Sequence, residues 1–190
     1  LDENPELSFH YEGFVNDDNA SALDEEPSVS TTATQTSVAG VYDVNASGGE
    51  DDDYRFVYQG SALTIGEATQ HIEGLEIATE AVYGDAALQV EASASSDLPV
   101  SFVSSNPEVL EVNGAQLKIL GAGTAVITAR QGGSANYDAA PDLNATVVIH
   151  KAELEVVAHP ASKAYLDENP ELSFHYEGFV NDDNASALDE

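Results

Sequence analysis

The chain contains no cysteine, methionine or tryptophan and only five lysine and arginine residues. The absence of cysteine excludes disulfide bonds and thiolate metal sites. Thirty-five aspartate and glutamate residues give a formal net charge of −30, which makes nucleic acid and anionic lipid surfaces unsuitable partners. No run of 18 apolar residues occurs, so we expect no membrane insertion. Cations are the partners that this charge favours.

The chain does contain an internal repeat without a single mismatch. Residues 1–25 and 166–190 both read LDENPELSFHYEGFVNDDNASALDE, so the sequence has a period of 165 residues. Self-similarity at a fixed period is typical of tandem arrays, in which each unit contacts its neighbours. We therefore interpret the chain as one period of an array plus the start of the next. Its expected partners are neighbouring repeats of the same chain.

Apolar and polar residues alternate through much of the chain, which predicts β-strands. Segments with this pattern include Leu7–Tyr11, Tyr54–Tyr58, Ala125–Ala129, Ala145–Ile149 and Leu154–Ala158. Turn residues separate such segments at intervals of about 8–12 residues, and no amphipathic helix is predicted. Short strands at this spacing predict an all-β fold, which we interpret as tandem Ig-like β-sandwiches in an elongated array.

The order of strands and junctions predicts three segments. We interpret residues 67–151 as one complete Ig-like sandwich and residues 1–66 as a sandwich that lacks its first strand. Residues 152–190 are then the opening strands of the next sandwich. We expect the strand that is missing from residues 1–66 to have its equivalent at Leu154–Tyr165, one period later. A chain cut in this way would expose a sheet edge, which favours association.

One set of segments carries a resemblance to a known family. Tyr165–Phe179, YLDENPELSFHYEGF, continues through the repeat into Pro27–Ala33, Gly40–Val44, Asp53-Tyr54 and Gly60–Ile65. Together these segments resemble the MBG domain of bacterial surface proteins. Leu166 stands where that family usually has glycine after tyrosine. Because leucine tolerates positive φ poorly, we expect the turn after Tyr165 to be built differently.

A second resemblance covers most of residues 67–151. Val100–Val112, VSFVSSNPEVLEV, and Gly121–Ala129, GAGTAVITA, are similar to bacterial Ig-like domains of group 2. Both families imply repeated Ig-like sandwiches in large secreted or surface-anchored bacterial proteins, often adhesins. The resemblances thus imply a structural stalk segment of an extracellular adhesin or surface filament, which acts as an extended acidic spacer.

Two acidic clusters are candidate calcium sites. They comprise Asp17, Asp18 and Asn19 in one loop and Glu50, Asp51, Asp52 and Asp53 in another. Calcium takes about six to eight oxygen ligands from carboxylates, amides and backbone carbonyls, and either loop offers several. Neither loop has the spacing of an EF-hand. A solvated acidic turn that adds solubility is the alternative interpretation of both.

The other residue patterns do not indicate catalysis or a zinc site. The chain has no Gly-x-Ser-x-Gly or His-Glu-x-x-His motif, and its histidines lack a metal-ligand spacing, so we expect neither an enzyme nor bound zinc. Most aromatic residues alternate along strands, which favours core packing, and Tyr54 and Tyr137 are expected to hydrogen-bond backbone at strand corners. Aromatics exposed on a common face would indicate repeated weak binding of surface glycans. Association with other fibres stays open.

Overall fold

The computed structural model describes residues 3–188 and shows an all-β chain, which confirms the predicted fold class. These residues form thirteen strands and two turns of 3₁₀-helix, Ala20–Ala22 and Ala185–Ala187, and contain no α-helix. No helix in this part of the chain has the length and apolar character of a membrane span. The chain divides into two compact units. One holds the residues up to Thr69 with Gly133–Asp138, and the other holds Gln70–Gly132 with the residues from Ala139 onward.

The first unit contains a three-stranded antiparallel sheet. Its strands are β1 (Ser28–Thr31), β2 (Gly40–Ser47) and β3 (Ser61–Ile65), with β2 in the centre. Val44 of β2 lies opposite Thr31 on one side and Ser61 on the other. Exposed and half-buried residues alternate along the strands, as the pleat of a sheet requires.

The segment Gly133–Asp138 belongs to the first unit through its hydrogen bonds. The amide of Ala68 donates to the backbone oxygen of Asn136 over 2.8 Å. The side-chain oxygen of Asn136 accepts a hydrogen bond from the amide of Ala39 at 2.9 Å. Tyr137 contributes its backbone, which forms an isolated parallel β-bridge with Ala68.

Eight strands of the second unit form two four-stranded sheets. In chain order they are β4 (Ile72–Ile77), β5 (Glu80–Val82), β6 (Leu88–Ala94), β7 (Ser101–Ser104), β8 (Leu110–Asn113), β9 (Gln116–Ile119), β10 (Gly123–Arg130) and β11 (Leu143–His150). One sheet has the order β4-β6-β9-β8 and the other β5-β11-β10-β7. Their pairings are antiparallel except for β5 with β11, which is parallel.

The main hydrophobic core of the second unit takes its residues from both sheets. Its largest fully buried side chains are Val90, Leu110 and Leu117 of one sheet and Ile127 and Val147 of the other. Full burial of a side chain of this size contributes about 1.5–3 kcal/mol. These strands therefore form a β-sandwich around a shared core. The predicted boundaries after residues 66 and 151 stay predictions.

Two further strands of the second unit form an antiparallel hairpin. They are β12 (Glu155–Ala158) and β13 (Phe174–Glu177), with Val157 opposite His175. Strand β13 lies in the second copy of the repeated segment, whereas residues 9–12, its counterpart in the first copy, form no strand. The predictions of a strand at Leu7–Tyr11 and of another at residues 54–58 are therefore wrong, because the structure has no strand in either range. Alternation alone makes no strand where no partner strand supplies hydrogen bonds.

The turn after Tyr165 has the backbone that a glycine would favour. Leu166 has a φ of 72°, and the amide of Asp167 donates to the carbonyl of Ala164 over 3.2 Å. The turn at Gly84, where φ is 102°, is closed by the same type of hydrogen bond. The expectation of a different turn is wrong: Leu166 adopts the left-handed region despite its side chain. This conformation is strained for a leucine.

Candidate functional site

In the first unit, Tyr54 joins the two acidic loops that the sequence singled out. Its hydroxyl donates a hydrogen bond to Oδ2 of Asp18 over 2.6 Å and accepts one from the amide of Val15 at 3.1 Å. On the other side, Oδ1 of Asp51 accepts hydrogen bonds from the amides of Asp53 and Tyr54, at 2.8 and 2.7 Å. The predicted hydrogen bond between the Tyr54 hydroxyl and the backbone is confirmed, but it does not lie at a strand corner, since residues 54–58 form no strand.

Among the remaining calcium candidates, Asn19 and Glu50 make hydrogen bonds. Asn19 accepts a hydrogen bond from the amide of Ser21 and so caps the 3₁₀ turn. Asp17 has a φ of 63°, and Glu50 pairs with Glu25 in an isolated bridge. The described residues contain no group of three or more acidic or histidine side chains arranged to hold a metal ion. Calcium binding stays a prediction for Asp17, Asp18, Asn19, Glu50, Asp51, Asp52 and Asp53.

The contacts of Tyr54 and Tyr11 raise the pKa values of both phenols. The hydrogen bond to Asp18 is the largest cause of the raised pKa of Tyr54, and the charges of Asp18 and Asp51 add to it. Partial burial raises the pKa of Tyr11, with a smaller contribution from Glu26. Both hydroxyl groups therefore stay protonated well above neutral pH, and Tyr54 remains a donor to Asp18.

The second copy of the repeated segment contacts the sandwich of its own unit. The hydroxyl of Tyr83 donates a hydrogen bond to Oδ2 of Asp183 over 3.0 Å. Beside it, Gly84 lies against Val180, where an added Cβ would come within 2.8 Å of the valine side chain. Asp183 is the counterpart of Asp18 in the repeat. The sequence alone did not predict this contact, because 100 residues separate Tyr83 from Asp183.

An open groove of about 510 Å³ adjoins this contact within the second unit. It is lined by residues 120–122 and 151–154 on the side of the sandwich and by Gly178–Val180, Asp183 and Leu188 on the side of the repeated segment. Charges of both signs border it, since Lys151 and Asp183 are among its lining residues.

Aromatic rings of the first unit pack against one another in a row. Phe9, Tyr11, Phe14 and Tyr54 follow one another with ring centroids 5.2, 5.4 and 5.3 Å apart. The first and last of these pairs are edge to face, which is a favourable packing geometry. In the second unit Phe174 is 55% exposed, and Tyr165 is 91% exposed. Packing between rings therefore explains the positions of the four aromatic residues in the first unit, whereas Tyr165 is exposed to solvent.

The chain is acidic and all-β. Its repeated segment accepts a hydrogen bond from Tyr54 in the first copy and from Tyr83 in the second. The model of the MBG domain, YGX type, matches residues 1–64 and 154–189, which is more than half of the chain. The chain therefore belongs to the YGX-type MBG domain family, whose members are bacterial surface repeat domains. No curated protein and no solved structure matches the chain.

Proposed function

We propose that the chain is a stalk segment of a large repetitive extracellular adhesin or surface filament. In this role alternating sandwiches form an extended, acidic spacer, and no residue has to perform catalysis. The observation that carries the proposal is the seating of Gly84 against Val180 beside the hydrogen bond between Tyr83 and Asp183. Each further period would bring the same residues together again, because the repeated segment is identical.

The first copy of the repeated segment supports this reading. Val15, the counterpart of Val180, is 58% exposed, whereas Val180 is half-buried. An exposed valine beside an acceptor such as Asp18 is the surface that a Tyr-Gly turn of a preceding sandwich would cover. Asp18 keeps its Oδ1 atom for such a donor, since Tyr54 bonds to Oδ2. A carboxylate offers two oxygens and can accept from both tyrosines.

The charge supports an extended arrangement. A net charge of −30 is carried by 190 residues, so successive periods repel one another and stay soluble. A sandwich of this size is roughly 35–40 Å long, so two in line would extend the stalk by roughly 70–80 Å per period. High ionic strength screens the repulsion between exposed charges, whereas it does not screen the packing contacts at the junctions.

Polypeptides of one, two and four periods test the proposal by small-angle X-ray scattering. The stalk requires a maximum dimension that grows in proportion to the number of periods, at low and at high salt. Gly84→Ala should shorten the four-period chain by loosening its junctions. Gly114→Ala is the matched control, because Gly114 also has a positive φ but has nothing within 4 Å of an added Cβ. A compact four-period chain would exclude a stalk.

Repeated weak binding of surface glycans is the second candidate function. The 91% exposure of Tyr165 favours it, because exposed aromatic rings stack on sugars and repetition would add avidity. A glycan array probed with a four-period chain separates the two candidates. Saturable binding that Tyr165→Ser removes would support the binding module, and its absence would leave the spacer.

A further inference from the structure

Four polar side chains form a hydrogen-bonded row on the β12–β13 hairpin. His159 follows β12, and its amide donates to the carbonyl of Ser173 over 2.9 Å, so the two strands continue to pair there. Nδ1 of His159 lies 2.9 Å from the hydroxyl of Ser173, and its Nε2 lies 2.9 Å from Nδ1 of His175. Nε2 of His175 lies 2.9 Å from a carboxylate oxygen of Glu177.

The hydrogen-bond partners assign the protons when both rings are neutral. The carboxylate of Glu177 only accepts, so Nε2 of His175 carries the proton, and Nδ1 of the neutral ring has a lone pair. Nε2 of His159 donates to that lone pair when both rings are neutral. The hydroxyl of Ser173 can donate to or accept from Nδ1 of His159, because it rotates. Moving the proton of His159 from Nε2 to Nδ1 therefore keeps the contact with Ser173 and frees a second lone pair.

The two freed lone pairs belong to nitrogens whose separation suits one metal ion. Imidazole nitrogens bind first-row metals at about 2.0–2.1 Å, and two at right angles around such an ion are about 2.9 Å apart. This is the distance between Nε2 of His159 and Nδ1 of His175. Right-angled ligand positions occur in the square-planar and tetragonal sites that copper(II) and nickel(II) prefer.

We propose that His159 and His175 bind a divalent transition-metal ion of the copper(II) or nickel(II) type. Nε2 of His159 and Nδ1 of His175 are the ligands, and water completes the coordination. Glu177 and Ser173 hold the other nitrogen of each ring, which is the support that metal-binding histidines ordinarily have. His175 is 43% exposed in its side chain, which leaves a path for a hydrated ion. The proposal does not depend on the stalk function.

The same chain contains a matched control. His10 and Glu12 are the counterparts of His175 and Glu177 in the repeat, and they are 3.3 Å apart. Within residues 3–188, however, only His159 and His175 form a hydrogen-bonded pair of imidazoles. His10 thus has the same sequence around it and the same carboxylate partner, but it lacks the second nitrogen ligand.

The test is a calorimetric titration of copper(II) chloride into the 190-residue chain and three variants. We expect one site whose affinity falls at least tenfold in His159→Gln and in His175→Gln and is unchanged in His10→Gln. Electron paramagnetic resonance of the copper-loaded chain should show two nitrogen ligands, and paramagnetic broadening of amide signals should centre on β12 and β13. The broadening needs no substitution, so it remains decisive even if a variant is misfolded.

Three results would overturn the proposal. Equal affinity in His159→Gln and the unaltered chain would show that the imidazole pair is not the site. An equal loss in His10→Gln would point to nonspecific binding by any histidine next to a glutamate. Displacement of copper by a tenfold excess of calcium would place the metal on the acidic loops, whose oxygen ligands favour calcium.

Discussion

The hydroxyl of Tyr83 and the carboxylate of Asp183 are joined by a hydrogen bond of 3.0 Å, although 100 residues separate them in the chain. At the equivalent position of the identical segment, Asp18 bonds to Tyr54 over 2.6 Å. The same aspartate of the repeat therefore accepts a hydrogen bond from a different tyrosine in each copy.

Tyr83→Phe tests the importance of this bond. Removing the hydroxyl should destabilise the seating of the repeated segment by about 1 kcal/mol, because a hydrogen bond to a carboxylate is lost. Hydrogen exchange of the amides in residues 174–188 should become about fivefold faster. Tyr42→Phe is the control, since its hydroxyl bonds to Val38 in the first unit. Unchanged exchange in Tyr83→Phe would mean that packing alone holds the segment.

The raised pKa of Tyr54 predicts a loss of stability at alkaline pH. The folded state binds the phenolic proton more tightly than the unfolded state, so the contribution to stability is fully present below the ordinary pKa of about 10. It disappears as the pH rises through the higher folded value. A titration of the Tyr54 ring carbon by NMR should show the raised pKa. Asp18→Asn should lower it, whereas Asp183→Asn should leave it unchanged.

Replacing Leu166 with glycine should stabilise the hairpin turn. Leucine at a φ of 72° costs about 1–2 kcal/mol, and the side chain is 85% exposed, so little burial is lost. Greater freedom of the unfolded glycine offsets part of the gain, which leaves about 0.5–1 kcal/mol. Hydrogen exchange in β12 and β13 measures this change. Leu172→Gly, a nearby exposed leucine without positive φ, should have the opposite effect.

Restoring a partner strand should convert residues 9–12 into a strand. Fusing residues 152–165 directly before residue 1 recreates the connection that precedes β13. The amides of residues 9–12 should then become protected from exchange, because the added strand supplies their hydrogen-bond partners. A fusion in which Val156 and Val157 are replaced by proline cannot donate these hydrogen bonds and is the control. Equal protection in both fusions would contradict the prediction.

Calcium binding to the acidic loops predicts sensitivity to chelators. An ion at one hundred times its dissociation constant would stabilise the folded chain by about 2.7 kcal/mol, so EDTA should lower the melting temperature. Asp52→Asn in the loop of residues 50–53 should reduce the shift. The same melting temperature with and without EDTA would leave the solvated acidic turn as the explanation of both loops.

Alternation in the sequence predicted strands correctly where the fold supplies partner strands. Alternation at Ala125–Ala129 and Ala145–Ile149 correctly indicated strands β10 and β11, because each of these strands has a hydrogen-bonded neighbour along both edges. Nothing local marks β5 as the parallel partner of β11, since its three residues form too short a pattern. The hydrogen bond between His159 and His175 was equally invisible, because it depends on the register of two strands and not on a spacing motif.

The two copies of the repeat separate what the sequence determined from what tertiary structure decided. Both copies form a 3₁₀ turn capped by asparagine, at Asn19 and at Asn184, and both place a glycine and the same Asn-Asp pair at positive φ. The hydrogen bonds of these features join residues only a few positions apart, so the local sequence alone determines them. The strand Phe174–Glu177 forms in only one copy. Its backbone needs hydrogen bonds from β12, and only the tertiary structure decides whether that partner is in place.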